Sequence, residues 1–144
     1  MRGSKTIKLI IDSNLEEVFL VGLAVRAVCS HAPMNELAVY QVETGVVEAV
    51  NNVIKHAYKN RKGHDVEVIV SLFLDRITFQ VCDTGTAMEP KKVSKMDFDP
   101  DNLDGLPEGG MGLYVINSVM DKVEYVRAGE KNILIMSKYF KKKH

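Results

Sequence analysis

A chain of 144 residues is the length of one ordinary domain, enough to bury roughly two-thirds of the surface its unfolded form exposes. Its 19 basic and 19 acidic residues leave no formal net charge, so nothing draws it to a phosphate backbone or an anionic membrane, and direct nucleic-acid binding is excluded as a first reading. No apolar run reaches the ~20 residues a spanning helix needs, and MRGSKTIKL has no apolar signal core, so a cytoplasmic chain without a membrane contact is expected.

In chain order, Ile7, Leu9 and Ile11 alternate with Thr6, Lys8 and Ile10, a strand with one fully buried face. Ser13-Asn14-Leu15-Glu16 has capping-box spacing, with Ser13 as the capping hydroxyl, and opens a helix to about Cys29. Ser30 to Pro33 breaks that helix. Asn35 caps a second one, running to about Lys59 with apolar positions at Leu37, Val39, Val42, Val46, Val47, Val50, Val53 and Ile54. Runs 66–74 and 77–82, separated by Asp75-Arg76, read as a hairpin. Residues 83–112 are rich in Asp, Gly and Pro, a length of loop that in a compact domain is usually functional. Helical spacing returns over Met111–Asp121, and a closing hairpin turns around Gly129-Glu130. This order predicts an α+β, two-layer sandwich in a single domain, 1–144, its mixed but mainly antiparallel sheet covered on one face by helices.

Three polar constellations interrupt this frame. In EAVNNVIKHAY, residues 48–58, Glu48 and Asn52 are one turn apart, and Lys55 and His56 extend the same side of the helix. A carboxamide oxygen can ligate Mg²⁺ while a neighbouring carboxylate accepts a proton; a solvated helix face would look the same. In Asp83-Thr84-Gly85 a carboxylate ends a buried strand where it could accept from an exocyclic amine, beside a glycine that permits positive φ and close backbone approach; an ordinary Asx turn is the alternative. In Gly109-Gly110-Met111-Gly112, glycines opening a helix offer free amides and a positive dipole end to phosphates, or simply a hinge. The pattern fits neither the dinucleotide fingerprint nor the P-loop. Cys29 and Cys82 read as reduced, buried thiols, and the four histidines lack metal-ligand spacing.

Together, in this order, the three segments resemble the N, G1 and G2 boxes of the GHKL superfamily, the Bergerat ATP-binding fold. EAVNNVIKHAY followed by a short lid and PEGGMGLYVINSVMD is similar to the bacterial anti-sigma factor serine-protein kinases, the RsbW and SpoIIAB type. The resemblance covers nearly the whole chain. It implies ATP and Mg²⁺ as cofactors, Glu48 as general base toward a serine hydroxyl, and Asn52 as the Mg²⁺ ligand. It further implies Asp83 on the adenine amine with Gly85 letting the base lie against the backbone, Gly110 and Gly112 giving amides to the phosphates, Gly109 in the hinge of a lid over about 86–110, and Met88 and Met111 among the cofactor-binding residues. The implied partners are a sigma factor, a STAS-domain anti-sigma-factor antagonist and a second copy of the chain in a homodimer. Ala87 stands where the family's second G1 glycine would be. A sequestering module that binds nucleotide without phosphotransfer is the alternative, and a catalytic domain cut from a sensor kinase is a third reading.

Overall fold

Five strands, β1 (Ser4–Asp12), β2 (Asp65–Phe73), β3 (Arg76–Asp83), β4 (Lys122–Ala128) and β5 (Lys131–Tyr139), form one sheet in the order β1-β2-β3-β5-β4 in a computed structural model that describes residues 4–88 and 110–140. Every pairing is antiparallel, so the mixed pairing expected from the sequence does not occur among the described residues. The last strand inserts between β3 and β4, which puts it opposite the strand that ends in Asp83.

Three helices, α1 (Val18–Cys29), α2 (Glu36–Asn52) and α3 (Gly110–Val119), bury their apolar stripes against one face of this sheet. Val21, Val25, Val42, Val46, Val50 and Ile116 are fully buried there with Val68, Phe79 and Met136 of the strands. The alternation of β3 puts Ile77, Phe79, Val81 and then Asp83 on that inner side, so the carboxylate is the last inward-facing position of its strand. β5 does the same with Asn132, Leu134 and Met136.

Several local expectations shift. Ser13 does not cap the first helix: Asn14 accepts from the Glu16 N–H at 3.0 Å and opens a short 3₁₀ turn, Leu15–Glu17. The buried Ser13 hydroxyl instead donates to Arg61 O at 2.6 Å and accepts from His64 N, tying this corner to the turn before β2. β1 lacks a fully buried face, because as an edge strand it has a neighbour on one side only; Ile7 stays 42% exposed while Ile11 is buried. The hairpin turns at Leu74-Asp75, one residue early, since Arg76 joins β3 and lays its guanidinium 4.1 Å over the Phe73 ring.

The second helix begins as read, with Asn35 Oδ1 accepting from Ala38 N at 2.8 Å. Its end differs, because Val53–Ala57 is a π-helical segment. Tyr58 N reaches back five residues to Val53 O, and Asn60 N six residues to Ile54 O, while Lys59 and Asn60 take left-handed φ values of 53° and 61°. Such widened turns gather at functional sites.

Candidate active site

α2 and α3 approach closely because each presents a glycine to the other. A Cβ on Gly45 of α2 would lie 2.8 Å from Val119 Cγ2 at the end of α3. At the other end of the contact, a Cβ on Gly112 would lie 3.0 Å from both Asn52 Oδ1 and Nδ2 and 3.3 Å from Glu48 Oε2. The missing side chain therefore places the first turn of α3 directly on the paired carboxylate and carboxamide. Both of these groups are half-buried. α3 opens at Gly110, so its amides and the positive end of its dipole lie at this spot.

Lys55 and His56 do not share the arrangement. Both are exposed and belong to the π segment, whose wider turn breaks the 3.6-residue spacing from which a common face was read. Met111 is in α3, and Gly109 and nearly all of the 86–110 lid lie outside the described residues.

The Asp83 end is built by hydrogen bonds. Asp83 Oδ1 accepts from Gly85 N and from Asn132 Nδ2, each at 2.9 Å, and the same Nδ2 donates to Gly85 O at 3.0 Å. These two acceptors fix the orientation of the Asn132 carboxamide, since a flipped amide would set oxygen against oxygen. Its own Oδ1 is buried with no hydrogen-bond partner among the described residues. Burial raises the Asp83 carboxyl above the usual range, opposed by the Asn132 and Gly85 hydrogen bonds.

Gly85 has no positive φ; among the described residues only Gly63 and Gly129 have glycine φ values in that region. Its value is steric. A Cβ there would overlap the Ala57 carbonyl oxygen and sit 2.6 Å from the Ala57 carbonyl carbon, and the next residue, Thr86, donates to that same oxygen at 2.9 Å. The turn after β3 is thus docked on the π segment that continues α2. Tyr58 OH accepts from Thr84 N at 2.9 Å and donates to Asp65 O at 2.7 Å, and Tyr125 OH accepts from Met88 N at 2.8 Å.

Asn132, Tyr58, Tyr125 and Ala57 were not singled out by the sequence. A signal existed for Asn132, a carboxamide in the inward phase of an otherwise apolar strand, and for Tyr125, in the inward phase of β4. The Ala57 contact is made by backbone and leaves no residue-type signature.

A five-stranded antiparallel sheet under three helices, with a Glu–Asn pair beneath a glycine-opened helix and a buried Asp–Gly turn beside it, defines an ATP-binding domain of the kind that histidine kinases carry. Residues 11–138 match the family described as Histidine kinase-like ATPase domain, and the chain belongs to it. Relatives at the level of sequence are named Serine-protein kinase RsbW. The one from Staphylococcus aureus (strain JH9) is 32% identical over 142 residues, covering 94% of this chain and 87% of its own. That from Bacillus cereus (strain ATCC 10987 / NRS 248) is 27% identical over 146 residues, covering 99% and 89%. Family membership thus extends to the RsbW-type serine-protein kinases. Among solved structures, the Acinetobacter baumannii histidine kinase AdeS superposes with a TM-score of 0.51 at 12% identity, over 96% of this chain and 70% of that one, a likeness of fold.

Proposed function

We propose that the chain is an anti-sigma factor that transfers the γ-phosphate of ATP to a serine of a STAS-type antagonist and, in its other state, sequesters a sigma factor, acting in the cytoplasm as a homodimer. The observation that supports this reading is the seating of Gly112 on Glu48 and Asn52, which brings a carboxylate, a carboxamide and the amide end of a helix to one place.

Phosphoryl transfer asks a protein mainly to position the reactants and to neutralise charge. Glu48, half-buried beside Asn52, would take the proton of the attacking serine hydroxyl as its oxygen bonds to the γ-phosphorus and the bond from that phosphorus to the bridging oxygen breaks, ADP leaving with the electron pair. The α3 amides from Gly110 to Gly112 would face the phosphates, and a side chain at 112 would push them off. The donor set fits Mg²⁺: Asn52 supplies a hard carboxamide oxygen beside the Glu48 carboxylate, both under the first turn of α3. When bound, that ion would offset charge on the phosphates. At the other end Asp83, with Oδ1 already engaged, would direct Oδ2 to the adenine amine, with Met88 and Gly85 beside the base.

The test is transfer of label from γ-labelled ATP, with Mg²⁺, to STAS-type proteins of the same organism, with Glu48→Gln as control. Transfer to a partner serine that disappears in the control is the expected result. Retained nucleotide binding with no transfer to any candidate would leave a sequestering module in place of a kinase.

A further inference from the structure

The glycine at the far end of the α2–α3 contact lies outside all three boxes. The two helices run antiparallel: Gly45 faces Val119, and seven residues on along α2 and seven back along α3, Asn52 faces Gly112. Two turns of helix, about 10 Å, separate these points. The fully buried Ala49 and Ile116 lie between them in the two helices.

Gly45 is buried in the interior of a 17-residue helix, where glycine is a poorer helix former than alanine. What its small size provides is closeness. A Cβ there would lie 2.8 Å from Val119 Cγ2 and 3.1 Å from Met120 Cε. The thioether end of Met120 can swing aside. Val119 cannot, because a β-branched side chain in a helix holds one strongly preferred rotamer. The backbone behind it is pinned as well: Lys138 of β5 donates to Val119 O at 3.0 Å, and Asp121 N donates to Ser137 O at 2.9 Å. A side chain at 45 would therefore push on α3 as a whole, and the contact would have to open by about 1 Å to reach ordinary carbon–carbon distance.

We infer that Gly45 is a positioning residue for the phosphate end of the site, setting from two turns away how closely the opening turn of α3 sits on Glu48 and Asn52. The inference rests on the reading that the α3 amides face the phosphates. α3 is a single helix of 10 residues, so a displacement imposed at Val119 reaches Gly112 as a tilt or a lift. Misplacement on the order of 1 Å is enough to lower a rate by about 10²-fold. The base end leans on other elements: the Asp83 turn is tied to Asn132 of β5 and to the Ala57 carbonyl, and to nothing in α3 among the hydrogen bonds described.

Calorimetry on the full chain with Mg²⁺ tests this, comparing ADP with adenosine, which has the base and no phosphate. Gly45→Ala is expected to lower ADP affinity about tenfold, to leave adenosine within about twofold, and to lower kcat for phosphotransfer from ATP by about 10–10²-fold. Adding Val119→Ala removes the methyl groups that the new Cβ would meet. The double variant is therefore expected to bring ADP affinity back to within about twofold of Val119→Ala alone. Equal losses for ADP and adenosine in Gly45→Ala, or no recovery in the double variant, would overturn the inference. If Gly45→Ala does not fold, Val119→Ile, which crowds the same contact from the α3 side, decides it with the same two ligands: a loss confined to ADP supports the role, and an unchanged ADP affinity overturns it. Gly112→Ala separates the two levels. A loss confined to ADP in Gly112→Ala, with none in Gly45→Ala, removes the role of Gly45 alone, whereas no such loss in either variant removes the phosphates from α3 and the inference with them.

Discussion

The two ends of the candidate site are held by different physics. At the proposed phosphate end, the absence of a side chain at Gly112 lets α3 seat on Glu48 and Asn52 of α2. At the base end, Asp83 sits in a network that engages Gly85, Asn132, Thr84, Met88 and two tyrosine hydroxyls. One end is shaped by packing; the other is held by directional bonds between protein groups. The difference suits the proposed tasks: charge on a transferring group can be met by several donors at once, whereas one amine must be met in one direction.

The strongest way to break the comparison is at the packed end. Glu48→Gln should retain ATP binding and lose about 10²–10⁴ in turnover, read by phosphotransfer rate, because an amide cannot take the serine proton; wild-type turnover would remove Glu48 from catalysis. At the bonded end Asp83→Asn should weaken ATP by about 1.5–3 kcal/mol in calorimetry. Its effect on stability should run the other way. A buried carboxyl with a raised pKa binds its proton more tightly folded than unfolded, so the fold loses stability as pH rises from the usual aspartate value through the folded one. The cost is present at pH values above the folded one, and an amide at 83 keeps an acceptor oxygen without the charge. Denaturation melts across pH should therefore show Asp83→Asn gaining on wild type as pH rises above the usual aspartate range, with the advantage vanishing in acid; a difference between the two that does not change with pH would contradict the burial argument.

Gly85→Ala sharpens the comparison from the steric side. The methyl group would overlap the Ala57 carbonyl, and the turn must move at a cost of about 1–3 kcal/mol, measurable by denaturant melts. Gly112→Ala meets only side-chain ends, which can yield by tenths of an ångström, so it should cost less stability but more phosphotransfer. The smallest effect concerns Cys29: burial pushes its thiol up to about 12, so alkylation of the native chain at pH 8 should be slow until the protein unfolds.

Most of the fold was legible because its signals are periodic. The valines of α2 at 3.6-residue spacing and the β3 alternation through Ile77, Phe79 and Val81 each bury the face they predict. Glu48, Asn52 and Asp83 were legible as chemistry that an apolar element has no use for. What escaped was non-local. That Gly85 is small for the sake of Ala57, and that Asn132 answers Asp83 across 49 residues, depends on antiparallel register, which no window of sequence contains. Ser13 misled because the neighbouring Asn14 has a cap side chain too, and the hydroxyl found a stronger use in the Arg61–His64 turn.

The π segment also limits how the chain can vary in length. Val53–Ala57 accommodates one residue more than an α-helix would over the same rise, and the surplus delivers the Ala57 carbonyl to Thr86 and the Tyr58 ring to the stack it makes with His64 at 4.7 Å. Deleting a single residue there would let the helix relax to ordinary winding and would rotate everything beyond it by about 100°. Between Asn52 and Tyr58, spacing is therefore a coded quantity in its own right: a frame-preserving loss of one codon would uncouple the two ends of the site while leaving Glu48, Asn52 and Asp83 themselves in the chain.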